Sequence, residues 1–175
     1  GDGMTVRDLV NQVASGCLAP AFEERYPGYP RFSGQLTTAN LSRAVEAAIG
    51  VLAGRALTQD ARVVLDGLQL LEDGRIRPRL SPYAKSVLSR IEAIGAGQVL
   101  NRSDLMLEED SLHWEREHRL EPELFIVVLL SLVHSGDIVL SLRGKKLDAA
   151  NLDAAAGTSL DDLCTFRHIE RPRDL

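Results

Sequence analysis

The sequence predicts a mainly α-helical fold with a small β component: a helical subdomain over residues 1–80, then a winged-helix-like subdomain over residues 81–175 that includes short C-terminal helices and a tail. Three observations predict it. Apolar residues recur at helical spacing between Leu41 and Leu71. The stretch EPELFIVVLLSLVHSGDIVLSLRGKK runs helix, Gly stop, alternating strand and basic hairpin tip in that order. Apolar residues make up 45% and charged residues 26%, the balance of a folded globular chain. At 175 residues there is material for one good core or two small ones, so the halves pack either as one unit or as two.

Each element has its own signal. Thr5 precedes Asp8 by three residues and opens a first amphipathic helix through about residue 17. ERYPGYPRF follows, where Pro27, Gly28 and Pro30 forbid regular structure and Tyr26, Tyr29 and Phe32 offer rings that clamp an extended segment or stack on bases. Leu41, Val45, Ala48, Ile49 and Leu52 form one stripe of a helix that Gly54 closes. A second helix is expected over 58–71, with Val63, Val64, Leu65, Leu68 and Leu71 as its apolar residues. EDGRIRPRLSP makes a turn, and Ser81 caps a third helix over 83–94 with Pro82 at its first position.

A short strand over 98–100 and a Ser103-capped helical turn come next, followed by LEEDSLHWEREHRLE, which reads as a solvated loop or lid. Residues 122–134 are helical, Gly136 stops them, DIVLSL alternates as a half-buried strand, and Arg143-Gly144 turns the chain into KKLDA. Asn151 and Ser159 are placed to cap two last short helices, and FRHIERPRDL leaves as an extended polar tail.

The chemistry of common enzyme sites is missing. RGKKLD lacks both the preceding Gly and the hydroxyl of a phosphate-binding loop, and there is no HExxH. His113 and His118 are five apart, which on a helix turns them away from each other, so the stretch reads as a charged loop before a metal site. Glu108, Glu109 and Asp110 read as a solvated run, and His134 as a helix-terminal residue. Cys17 and Cys164 are isolated and expected as buried thiols in a reducing cytoplasm. No catalytic, cofactor or metal residues are assigned, and the chain is not expected to be an enzyme. The longest apolar run is about half of a bilayer span, and the opening GDGMTVRD lacks the regions of a signal peptide, so neither membrane insertion nor export is expected.

The net charge of −5 supplies no field that draws in polyanions, so any nucleic-acid contact must come from a local patch. In a winged helix the second helix of the helix-turn-helix reads base edges with Arg, Lys, Asn, Gln or Ser. The run from Leu124 to Leu130 has none of these and reads as a helix enclosed on every side. Arg143, Lys145 and Lys146 remain as a basic hairpin tip, and Arg75, Arg77 and Arg79 repeat every second residue, which puts them on one side if extended. Each cluster is either a solvated tip or a weak, salt-sensitive and sequence-blind phosphate contact.

Several strings together, YPGYPRF, SPYAKSVLSRI, GQVLNRSDL, LEPELFIVVLLSLVHSGDIVLSLRGKKLDAANLD and FRHIERPRD, resemble a segment of the very large phage-resistance ATPases of the bacteriophage-exclusion (BREX) and phage-growth-limitation systems. The likeness runs from about Tyr26 onward. It implies a piece of a longer cytoplasmic protein whose P-loop, ATP and magnesium lie elsewhere, and none of that family's nucleotide-binding residues map onto this chain. The function it implies is a non-catalytic interaction module of a phage-defence ATPase. Its partners would be other domains of the parent, other subunits of the defence system and, weakly, double-stranded DNA. The alternative is a free-standing winged-helix transcriptional regulator, which needs a polar recognition face.

Overall fold

The computed structural model describes residues 36–95, 97–109 and 112–172, with Pro30 and Phe32 ahead of them. The expected first helix, Cys17, Tyr26 and Tyr29 lie outside the described residues. Phe32 is half-buried against the core.

Helices dominate and strands are short, so the chain is mainly α with a small β component. Helix α1 (Thr38–Leu52) opens on a reciprocal cap: Thr37 Oγ1 accepts the Asn40 N–H at 3.3 Å and Asn40 Oδ1 accepts the Thr37 N–H at 2.7 Å. Its expected stripe, Leu41 through Leu52, is buried. Helix α2 (Gln59–Gly67) is capped by Thr58 Oγ1, which accepts the Ala61 N–H at 3.2 Å. It ends short of the expected residue 71 because Gln69 turns to a φ of 59°. The next segment, expected as a turn, forms a tight hairpin of β1 (Leu71–Glu72) and β2 (Arg75–Ile76) around Asp73 and Gly74, whose φ values of 52° and 76° suit a type I′ turn. A 3-10 turn, Pro78–Leu80, leads into α3 (Pro82–Ala93). Ser81 Oγ donates to the Leu68 carbonyl at 2.7 Å and accepts the Ala84 N–H at 3.5 Å, tying the start of α3 to the end of α2.

The chain then forms β3 (Val99–Asn101), α4 (Arg102–Leu105), β4 (Met106–Glu109), β5 (Leu112–Glu115) and α5 (Pro122–His134). It ends with β6 (Val139–Leu142), β7 (Lys145–Leu147), a 3-10 turn Leu152–Gly157, α6 (Leu160–Cys164) and β8 (His168–Glu170). One four-stranded antiparallel sheet runs in the order β3-β8-β6-β7, and β4 pairs with β5 as a separate hairpin. The Arg143-Gly144 turn between β6 and β7 forms as expected, with Gly144 at a φ of 79° that a side chain would strain.

Three expectations are corrected. The charged segment around Trp114 is not a loop or lid but the β4–β5 hairpin, in which Leu107 and Trp114 stand opposite each other and Met106 is buried. The cross-strand apolar pair and buried Met106 contribute to holding a hairpin that also carries Glu108, Glu109 and Glu115. The turn of helix at α4 is capped from Asn101 and not from Ser103: Asp104 Oδ2 accepts the Asn101 N–H at 2.9 Å. The tail residues 168–170 do not leave the domain but form β8 in the middle of the sheet, because Ile169 is fully buried between Leu100 and Leu140.

The buried residues form one contiguous cluster that draws on both sides of residue 80. Helix α5 lies at its centre, packed against α1, α3 and α6, and every residue from Leu124 to Val133 is buried. Burial of each large aliphatic side chain contributes about 1.5–3 kcal/mol, which makes α5 the main organiser of the core. The one polar residue inside that run, Ser131, donates to the Val128 carbonyl at 2.6 Å, so its hydroxyl is satisfied within the helix. Among the described residues no helix is long and apolar enough to cross a membrane.

Candidate functional site

The tip of the β6–β7 hairpin presents Arg143, Lys145 and Lys146, all exposed. Lys145 Nζ donates to Thr158 Oγ1 at 2.6 Å, and Lys146 Nζ lies 2.7 Å from Glu170 Oε1. Arg143 has no side-chain partner among the described residues, so it is the tip's uncommitted charge.

Arg75, Arg77 and Arg79 are also exposed, but they do not lie on one extended segment. The strand ends at Ile76, and Pro78 starts the 3-10 turn that carries Arg79 away. Arg77 stands 4.0 Å from Glu72, and Arg79 donates to Asp137 at 2.6 Å just beyond α5. The hydrogen bond from Arg79 and the Asp137 charge raise the Arg79 guanidinium above its ordinary value. From Asp137 the chain runs mostly along β6 to the tip, so at about 3.3 Å per residue Asp137, the partner of Arg79, lies at most roughly 20 Å from Arg143.

The segment around Trp114 brings Glu115, Glu117 and His118 together, with a potential ligand atom of each within 4.8 Å of the others. The His113 side chain lies outside the described residues, and the stretch is strand and turn, which removes the helical spacing argument for His113 and His118. Glu115 is 3% exposed, and both of its carboxylate oxygens are already used: Oε1 accepts the Glu117 N–H at 2.7 Å and Oε2 the His118 N–H at 2.6 Å. Glu117 accepts the Ser86 hydroxyl, and His118 meets the Tyr83 ring edge-on at 4.8 Å. The geometry is that of a carboxylate fixing a turn against α3.

A fourth feature has no counterpart in the sequence reading. A cleft of about 570 Å³ is lined by Arg102, Arg116 and Arg167, with Ser103, Asn101 and Glu108 among its polar residues. Arg102 N–H donates to the Arg167 carbonyl at 3.0 Å, and Arg167 N–H to the Ser141 carbonyl at 2.8 Å, so backbone bonds fix residues 102, 167 and β6 side by side. Arg116 is fixed by its N–H on the Leu105 carbonyl at 3.0 Å and its guanidinium on the Ser103 carbonyl at 3.1 Å. Arg102 Nε donates to the Cys164 carbonyl at 2.9 Å. Cys164 itself, expected as a buried thiol, is half-buried at the end of α6. The three arginines sit in three separate segments, Arg116 within the largely acidic run around Trp114, so no cluster of basic residues in the sequence marks them.

Residues 41–171 match the model of a family described as Family of unknown function (DUF6079) 4th domain. The chain belongs to that family. Comparison of this DUF6079 fourth domain with the curated proteins finds no match. Comparison with the solved structures finds none either. The matched span takes in α5, the sheet and all three cleft arginines.

Proposed function

We propose that this domain is a non-catalytic interaction module of a larger, cytoplasmic bacterial phage-defence ATPase. It contacts other domains of that parent and other defence subunits, and it touches double-stranded DNA weakly and without sequence preference through the β6–β7 tip. Residues 81–148 act in this reading as a winged-helix-like unit whose wing is the tip, with residues 1–80 as a helical subdomain beside it. ATP and magnesium belong to the parent's P-loop.

The observation that carries the reading is the burial of α5 from Leu124 to Val133 beside an exposed basic tip. A helix buried from Leu124 to Val133 has no face for base edges, so contact with a duplex falls to phosphates at the tip. The same burial weighs against a free-standing winged-helix regulator, which reads its operator with that helix. Support for the parent comes from the likeness of the strings quoted above to the phage-resistance ATPases, and a domain described as fourth has neighbours in its family's chains.

The test is fluorescence anisotropy of a random duplex titrated with the 175-residue chain at low and physiological salt, beside R143E/K145E/K146E. Binding that weakens steeply with salt and is lost in the variant supports the reading. Salt-independent binding, or none at low salt, removes the DNA contact from it.

A further inference from the structure

The arginine-lined cleft lies at the same end of the sheet as the β6–β7 tip. The registers Asn101↔His168 and Ser141↔His168 put the next residues, Arg102, Arg167 and Leu142, in one row across β3, β8 and β6, and Leu142 pairs with Lys145. Neighbouring strands are about 4.8 Å apart, so Arg102 and Arg167 line the cleft from adjacent backbones, and Arg116 lines it from the turn after β5.

We propose that this cleft is a phosphate-binding site formed by Arg102, Arg116 and Arg167. Three arginines against Glu108 leave the lining at +2 in a chain whose net charge is −5, so the positive charge is concentrated where the surface is concave. A cleft whose lining carries an excess of positive charge between low-dielectric walls focuses its field and raises the local anion concentration. Guanidinium forks match two phosphate oxygens at once, which an ammonium does not. All three are held through backbone bonds, Arg102 and Arg116 also through side-chain bonds to carbonyls, and no ion pair to a carboxylate is formed by any of them among the described residues. Arg102 spends only Nε on Cys164, and Arg116 one terminal nitrogen on Ser103, so most of the fork donors remain available. The volume falls within the range of small-ligand pockets, about 300–1,000 Å³, which admits a phosphodiester segment or a small polyphosphate.

Two sources supply that chemistry, a nucleic-acid backbone and a small phosphate compound, and the test separates them. The arginine Nε–H resonances of the whole chain are followed by NMR during titration with pyrophosphate and, separately, with a short random duplex. Pyrophosphate is expected to shift Arg102, Arg116 and Arg167 while leaving Arg143 in place, and R116A/R167A, whose side chains are both exposed, is expected to abolish the shifts with its melting temperature kept. If the duplex shifts the same resonances, the occupant is a nucleic-acid backbone. R116A/R167A then lowers the logarithmic salt slope of duplex binding by about 1.8, at about 0.9 per phosphate. Shifts from pyrophosphate alone assign the site to a small phosphate compound. If the double variant unfolds, R167E alone carries the same comparison. No shift with either ligand, or unchanged binding in a folded cleft variant, overturns the site. Loss of duplex binding in R143E/K145E/K146E with no effect of R116A/R167A, together with no shift of the cleft resonances by pyrophosphate, overturns the cleft and leaves the tip reading standing.

Discussion

Lys146 Nζ stands 2.7 Å from Glu170 Oε1, a bridge that reaches from β7 across β6 to β8. One of the tip's three cations is thereby answered by an acid from inside the same sheet. A phosphate competing for Lys146 must displace Glu170, whereas Arg143 is open to it. Exposed ion pairs are worth about 0–1 kcal/mol, so the competition is modest and salt-dependent.

The expected outcome is an asymmetry among tip variants. E170Q releases Lys146 and strengthens duplex binding up to about fivefold at low salt, the factor that about 1 kcal/mol provides. R143E weakens binding more than K146E does. Anisotropy titrations at two salt concentrations check both, and equal effects of R143E and K146E would show that the bridge does not restrain Lys146.

Glu115 gives a stability prediction. Its buried carboxylate accepts the N–H groups of both Glu117 and His118, so E115A strands two backbone donors and should cost about 2–4 kcal/mol. E115Q keeps an oxygen acceptor for one of them and should cost about half as much. Urea unfolding measures the difference. If the cluster with Glu117 and His118 instead holds a metal, a chelator lowers the wild-type midpoint; with a carboxylate that only fixes the turn, the midpoint stays where it was.

How far the sequence disclosed this fold can be followed residue by residue. Helices α1, α2 and α3 were legible because each joins a periodic apolar stripe to a hydroxyl cap or a Pro start, as at Thr58 and Ser81-Pro82. The β4–β5 hairpin was not, because its signal is little more than the pair Leu107 and Trp114 inside a dense run of charge. Strand β8 was hidden for another reason: it contributes Ile169 alone to the core, and its partners β3 and β6 are distant in sequence. The arginine cleft is illegible on the same ground, since Arg102 and Arg167 meet only when β8 enters the sheet.

Helix α5 was read from its sequence as enclosed, and its burial makes a quantitative expectation. Leu129→Ala removes a fully buried side chain and should cost about 2–5 kcal/mol. Duplex affinity of the folded fraction should stay unchanged, because no α5 side chain from Leu124 to Val133 reaches the surface. Ser131→Ala, by contrast, should be nearly neutral, since its hydroxyl bonds only within its own helix. Thermal melts and anisotropy on the same samples distinguish a scaffold helix from a reading helix: a loss of affinity without a loss of stability would assign α5 to the duplex.

Tyr83 predicts how stability depends on pH. Its side chain is 3% exposed at the start of α3, and burial pushes the phenol from its ordinary value of 10 up to about 12. The favoured form is the neutral, protonated one. Between pH 10 and about 12 the folded chain therefore holds a proton that the unfolded chain has released, and stability falls as pH rises through that window. The contribution is complete below pH 10 and amounts to about 2–3 kcal/mol, at about 1.36 kcal/mol per pKa unit. A Y26F/Y29F background leaves Tyr83 as the sole tyrosine, so phenolate absorbance reports it alone. Its titration should be centred near 12 and should coincide with the loss of folded signal. Y83F in the same background should flatten the stability profile across the window. A Tyr83 midpoint near 10 in the folded chain would mean that water reaches the hydroxyl, and the contact with His118 that closes this side of the core would have to be open.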